Sequence, residues 1–428
     1  MDEKFLTITD VDHIKRFRLM NAPHNPLWDV PEVTEPKIHK IHSYPAKFPA
    51  FLTGRALEYM RKVGKRPRLI ADIFCGCGTV AYEARRERLD FWGCDINPVA
   101  TLIAKTKSND FNPLILEYYF SKIISSFEQT SELNALPVNA QENLKRWYSP
   151  KNLTSLSKLL NCINQNTPNN TKYREVYHCL FSAILKPCSQ WKQRSIKPTL
   201  DLNKKPIETL KAFITQYKKF TTAFNQTTKQ PQNKSKITLG NILEVEVPRN
   251  TVDLIITSPP YVTSYEYADI HQLSSMWLGF ASDHRDLRAG SIGSKQHNIN
   301  LKREIKNLNA IGTQIVFSLF NKDRRASQAV ANYYIDMQLV ASRSKEILSP
   351  NGLAVFIIGN TRYHGVEIDN ASHFTESLLN AGYKSINVAK RRITNKCSTP
   401  YRDGTGRFSK IITDKQTYSN EFIIIAQP

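Results

Sequence analysis

Two stretches of this sequence combine residue types suited to holding and reacting a small molecule. The first is Asp72-Ile-Phe74-Cys75-Gly76-Cys-Gly78-Thr79. Glycines at 76 and 78 let the backbone turn tightly and approach a ligand with no Cβ in the way. A helix opening behind them offers unpaired N–H groups and a positive dipole end. Seventeen residues after Gly78, Asp95 ends the next apolar run, placed to accept both hydrogen bonds of a ribose diol. Tyr82 and Glu83 follow where the dinucleotide fingerprint has its third glycine, and no lysine stands in the Walker position. The turn therefore suits an adenosyl ligand without phosphates better than a nucleotide. The second stretch is Asp253-Leu-Ile-Ile-Thr-Ser258-Pro259-Pro260-Tyr261. An apolar strand runs into two prolines that end its ladder and present carbonyl oxygens without N–H groups. Such a row of acceptors suits a ligand that donates hydrogen bonds, as an amino group does; Ser258 adds a hydroxyl and Tyr261 a flat face for a base.

These motifs need a frame. Leu69–Phe74 reads as a strand, Val80–Arg86 as a helix and Phe91–Cys94 as a second strand, the opening of a parallel α/β sheet. A helix to about Lys62 precedes it, and residues 1–38 read as a surface arm without periodicity. From 109 to 235 the pattern changes to helices around Leu116–Phe127, Leu153–Ile163, Tyr173–Leu185 and Ile207–Phe220. Over the second half of that stretch Lys and Arg outnumber Asp and Glu several to one, which marks it for contact with a polyanion. Strands resume at Ile237–Leu239 and Asp253–Thr257, followed by a helix over Tyr265–Leu278 and a second polar excursion over Ala281–Ser327. A helix over Ala331–Leu348, strands at Leu353–Ile358, Lys384–Val388 and Phe422–Ala426, and a helix near Phe374–Asn380 complete the reading, with no separate C-terminal domain. The expected organisation is an arm and first core part (1–108), a mainly helical basic insertion (109–235), and a second core part (236–428) interrupted at 281–327.

The whole chain agrees with that division. Its 428 residues are 41% apolar, enough for a sizeable core, and carry a formal net charge of +21. The excess favours nucleic acid over a membrane surface, since no apolar run approaches a spanning helix and the opening residues lack a signal-peptide core. An intracellular, cytoplasmic protein of a prokaryote is expected. The seven cysteines form no C-x-x-C pair, so buried thiols are expected instead of disulfides or structural zinc. His39, His42 and His364 have no ligand spacing, and no metal is expected.

Phe74-Cys-Gly-Cys-Gly78 and Thr257-Ser-Pro-Pro-Tyr261 resemble the cofactor and catalytic motifs of the DNA amino-methyltransferases, the N4-cytosine and N6-adenine enzymes. A serine before Pro-Pro resembles the N4-cytosine members most. His42-Ser-Tyr44-Pro-Ala-Lys47-Phe48 is similar to the segment before their cofactor motif, and Arg402-Asp-Gly-Thr-Gly-Arg-Phe408 with Glu421-Phe-Ile-Ile-Ile425 to their closing segment. The resemblance covers about 39–105 and 237–428. It implies a Rossmann-like class I methyltransferase sheet with helices on both faces, S-adenosylmethionine as cofactor, and a target base flipped from double-stranded DNA, in company with a restriction endonuclease. It assigns cofactor binding to Tyr44, Lys47, Phe48, Asp72, Phe74, Cys75, Gly76, Gly78, Thr79, Asp95 and Asn241, and catalysis to Ser258, Pro259, Pro260 and Tyr261. Gly240-Asn241 departs from the Gly-Asp common before the catalytic strand, and the large insertion precedes that pair. Arg391, Arg392, Lys396 and Arg402 are candidate phosphate contacts.

Rival chemistries fit less well. Pro187-Cys188 offers a nucleophile for C5 methylation, but it lies in a helical, basic stretch with no strand before it. Adenine N6 is the alternative target, RNA or protein amide a more distant one. A catalytically inactive nucleic-acid-binding protein on the same core is the alternative of a different class.

Overall fold

The structure is a computed structural model that describes residues 4–30, 34–45, 47–129, 138–227, 233–262, 267–293, 305–393, 401–402, 408–409 and 420–428. Its strands in chain order are β1 (Leu6–Ile8), β2 (Leu69–Asp72), β3 (Asp90–Asp95), β4 (Ser235–Leu239), β5 (Val252–Thr257), β6 (Leu348–Ile358), β7 (Thr361–Tyr363), β8 (Val366–Ile368), β9 (Ser385–Arg392), β10 (Tyr401–Arg402), β11 (Phe408–Ser409) and β12 (Asn420–Gln427). Eight of them form one sheet in the order β1-β9-β12-β6-β5-β2-β3-β4. The run from β4 to β6 is parallel, β12 is antiparallel to both of its neighbours, and β1 pairs antiparallel with β9 at the edge.

Parallel strands buried on both faces read as continuous apolar runs, which is why Val252–Thr257 was legible without alternation. Period two still sorts the side chains. Leu254 and Ile256 join Ile70, Val355 and Ile357 on one face, while Ile255 joins Ala71 and Phe356 on the other. Helices α2 (Phe51–Lys62) and α3 (Thr79–Arg86) cover the first face. This is a doubly wound, Rossmann-like sheet with helices on both faces, the architecture expected from the motifs.

Four helices of the insertion fall close to expectation: α5 (Pro113–Gln129), α7 (Pro150–Asn166), α8 (Lys172–Leu185) and α9 (Thr209–Asn225), with a short α6 (Val138–Lys145) between the first two. An Asn97-Pro98 start, whose side chain caps Val99 and Ala100, also opens α4 (Pro98–Ser108), which the sequence reading passed over. The expected helix over 265–278 is two short ones, α10 (Tyr267–Ile270) and α11 (Gln272–Trp277), and residues 263–266 lie outside the described residues.

Two expectations need correction. The arm is part of the core: Ile8 pairs with Ile386, and Ile8, Ile14, Leu19 and Trp28 are buried. Its elements, three and seven residues long, are too short to show a period. The second excursion also ends early, because α12 (Ala310–Phe320) buries Ile311, Ile315, Val316 and Leu319 and α13 begins at Arg324 and runs to Ile347. After β7 and β8, α14 (Asn370–Asn380) leads into the closing antiparallel strands. With α1 (Val11–Phe17), helices α12, α13 and α14 pack on the sheet's second face.

Candidate functional site

From β2 the chain winds outward through β3 to β4, then returns to β5 on the other side of β2. The strand order therefore reverses between β2 and β5, and the crevice beyond their carboxyl ends is where doubly wound sheets bind ligands. Both motifs leave the sheet there. They are joined directly: the Thr257 hydroxyl donates to Asp72 Oδ1 at 2.6 Å. Asp72 also accepts the Phe74 N–H at 3.1 Å. Burial pushes its carboxyl up to about 7, against the lowering effect of those two donors.

The glycine loop is held by β3, α4 and Tyr44. The Cys75 N–H donates to the Cys94 carbonyl, so the loop follows the end of β3. Gly76 and Gly78 sit at φ of 50° and 72°. A Cβ on Gly78 would lie 2.5 Å from Ala104 Cα in α4, so this glycine brings loop and helix into contact. A Cβ on Gly76 would meet the Tyr44 hydroxyl at 3.7 Å. Thr79 starts α3, whose N-terminus faces the crevice, and Phe74 and Phe48 are half-buried. Asp95 accepts the Gly76 N–H with one oxygen and the Asn97 N–H with the other, both at 2.8 Å. A carboxylate has about four acceptor sites, so capacity remains for a diol. Burial raises its carboxyl to about 6.

The catalytic corner is fixed by neighbours that the sequence did not announce. Ser258 donates its hydroxyl to the Ile357 carbonyl at 3.0 Å, so the lone pairs on Oγ are what it can offer a ligand. Tyr333 of α13 donates to the Pro260 carbonyl at 2.9 Å, which occupies one of that oxygen's two lone pairs and ties the corner to α13. The Tyr261 hydroxyl donates to Glu421 Oε1 at 3.2 Å, and its ring lies 3.1 Å from where Gly359 would carry a Cβ. Burial pushes the Tyr261 phenol well up, with Glu421 adding to it against the lowering effect of the neighbouring Ser258 hydroxyl and Arg391, and it remains a donor. Thr257 and Glu421 belong to motif segments already singled out; for Tyr333 and Gly359 the sequence carried no signal.

Other expected residues sit differently. Lys47 is ion-paired with Glu35, which also accepts the Ala50 N–H, so its ammonium serves the entry into α2. Asn241 accepts from Leu243 N–H and donates to the Gly290 carbonyl, tying the end of β4 to the segment after α11. Arg391 is corrected as a phosphate contact: it is 2% exposed and gives its guanidinium to Glu421 and to the Trp28 carbonyl. Arg392 is exposed beside it, its N–H bound to Asp29. Lys396 and the side chain of Arg402 lie outside the described residues. Six cysteines, Cys188 among them, are buried thiols; Cys397 is outside the described residues. Tyr44 stacks on His271 at 5.0 Å, and burial lowers His271 to about 3, so that wall of the loop is uncharged. Among the described residues no cluster suits a metal ion, and no helix is long and apolar enough to cross a membrane.

No protein-family model matches the chain. It is 22% identical to the Type II methyltransferase M.MvaI of Kocuria varians over 431 residues, covering 92% of this chain and 91% of that protein. Two solved structures are similar at 8% identity and a TM-score of 0.26, too low to bear on function. They are a TehB-like SAM-dependent methyltransferase from Corynebacterium glutamicum, covering 88% of this chain and 97% of that one, and the rRNA methyltransferase aviRa from Streptomyces viridochromogenes, covering 90% and 88%.

Proposed function

We propose that this chain is an S-adenosylmethionine-dependent DNA methyltransferase acting on an exocyclic amino group, with cytosine N4 as target. The observation that carries the reading is the Thr257–Asp72 hydrogen bond, which holds the Ser-Pro-Pro-Tyr corner beside the glycine loop at the switch point of the sheet. Similarity over nearly the full length of a Type II methyltransferase, and the excess of basic residues, support the enzyme class and the polyanionic substrate.

The residues present fit the cofactor. Gly76 leaves the loop backbone without a Cβ beside Tyr44, Gly78 seats the loop against α4, and Asp95 keeps lone pairs for a ribose diol. Tyr44 walls the loop. Bound there, S-adenosylmethionine supplies an electrophilic methyl group. The protein's own task is to prepare the amine, whose lone pair is delocalised into the base. Ser258 Oγ, with its proton committed to Ile357, accepts one amino N–H, and the Pro259 carbonyl accepts the other. Two acceptors in a fixed row favour a more pyramidal nitrogen with its lone pair free, and alignment contributes most of the rate. Tyr261 replaces the stacking that a flipped base loses, a cost of about a few kcal/mol.

Incubation with methyl-labelled cofactor and genomic DNA, followed by nucleoside analysis, tests this. Label in N4-methylcytosine is expected. Label in N6-methyladenine would transfer the assignment to the alternative target, and no label in DNA would overturn it in favour of a binding protein on a methyltransferase core.

A further inference from the structure

The insertion ends its helix α8 in a segment, 186–205, that carries six Lys and Arg (Lys186, Lys192, Arg194, Lys197, Lys204, Lys205) against one acid, Asp201. Isolated surface lysines are usually solvated and carry no message. This segment differs in being built. Lys192 N–H donates to Thr199 O at 2.8 Å and Asp201 N–H to Gln190 O at 2.8 Å, closing an antiparallel hairpin bridged at Trp191 and Leu200. Trp191 is buried and stacks on Trp147 at 5.2 Å, which roots the hairpin in the insertion core.

Two lysines work as internal props. Lys186 Nζ donates to Ser195 O at 2.7 Å, and Lys204 Nζ donates to Lys186 O at 2.7 Å and Trp191 O at 2.8 Å. Their hydrogen-bond partners are carbonyls, not carboxylates, although Asp201 lies near Lys204 and Lys186 sits over the Trp191 ring. Burial and the neighbouring Lys186 lower Lys204 to about 8. Lys192, Arg194, Lys197 and Lys205 are exposed, and none of them is ion-paired among the described residues. Cations collected at this density on a held backbone repel one another and favour an anion from outside.

Position selects the partner. Helix α8 runs antiparallel to α4: Glu175 pairs with Lys105 near the end of α4, and Cys179 packs beside Leu102 and Ile103. Ser182, one turn on, hydrogen-bonds His42 and Ser274 in the layer of Tyr44 and α11. The carboxyl end of α8 thus points to the edge of the sheet where Asp95, the glycine loop and the catalytic corner lie. Trp277 of α11, in edge contact with Tyr148 and Phe181, joins the root of the hairpin to the chain leaving the corner.

We propose that the 186–205 hairpin is a preformed clamp for the sugar-phosphate backbone beside the target base, an inference that rests on the DNA reading. The clamp positions the substrate and contributes affinity, not sequence readout.

The test is a quadruple variant, Lys192→Gln, Arg194→Gln, Lys197→Gln and Lys205→Gln, beside a control with Lys62, Arg66, Lys234 and Lys236 changed to Gln at the opposite edge of the sheet. DNA affinity is measured against salt, with cofactor affinity and urea midpoint as folding checks. Each lost phosphate contact lowers the slope of log affinity on log salt by about 0.9, so a decrease approaching 3.5 is expected for the clamp variant, with KM for DNA raised and kcat kept. The control keeps the wild-type slope. An unchanged slope in a folded clamp variant, or an equal decrease in the control, would overturn the clamp while leaving the methyltransferase reading intact. Failure of the wild type to bind DNA would overturn both.

Discussion

Ser258 can act as an acceptor because its only proton is already directed at Ile357. Removing the hydroxyl by Ser258→Ala leaves one amino N–H of the target without a partner, at a cost of about 1.5–3 kcal/mol, or roughly 10- to 150-fold in turnover. Calorimetric cofactor affinity should stay at the wild-type value; a variant with undiminished turnover would remove this role. Asp72 is tested by pH. Its folded carboxyl titrates at about 7, above the ordinary 3.8, so the folded state holds the proton more tightly. Its contribution to stability is fully present below about pH 4 and is lost as the pH rises through 7, with a slope of up to about 1.4 kcal/mol per pH unit. Asp72→Asn retains an acceptor for Thr257 without that titration. Urea unfolding between pH 4.5 and 7 should show the variant gaining on the wild type as the pH rises, and parallel curves would refute the assignment. At this scale the sequence spoke through spacing: glycines, prolines and Asp95 have backbone duties that their neighbours in the chain reveal. Arg391 misled because charge alone does not say whether Glu421, 30 residues away, will arrive beside it.

Elements were legible where they are long or apolar throughout. The strands β5 and β6 and the insertion helices met that condition, whereas β1 is set by β9 far along the chain, and α1, β7 and β8 are only seven, three and three residues long. Helix α12 was hidden for another reason: it follows a polar stretch, and its hydrophobic residues extend past one face, with Phe317 and Phe320 exposed. The contact between loop and α4 makes the sharpest prediction for an element. Gly78→Ala faces two costs, a left-handed φ and a Cβ 2.5 Å from Ala104 Cα. Gly64, also left-handed at φ 76° but with nothing within 4 Å of its Cβ, isolates the first. Gly64→Ala should lose about 1 kcal/mol and Gly78→Ala at least twice that in denaturation experiments, with cofactor affinity falling only in the second. Equal losses would mean that α4 gives way freely and that the close approach is unimportant.

The whole molecule joins its parts through a shared interior. The insertion's cluster includes Ile38 and Ile41 of the segment before α2, Tyr82 of α3, and Leu273, Met276 and Trp277 of α11. Gln216 of α9 donates to the Ile41 carbonyl, and Ser182 of α8 joins His42 to Ser274. These residues come from both sides of the insertion in sequence, so its helices cannot lose their packing without uncovering the floor of the glycine loop. The boundaries read at 109 and 235 therefore divide the chain but do not mark independent folding units. With Trp28 and Trp92 of the sheet core replaced by Phe, the remaining tryptophans, Trp147, Trp191 and Trp277, report on the insertion cluster, and cofactor binding reports on the sheet. Urea unfolding followed by tryptophan fluorescence and by residual cofactor binding should give one midpoint, and excess cofactor should raise both together by mass action. An insertion that melts first, with cofactor binding preserved, would show that the 109–235 helices ride on the core without supporting it.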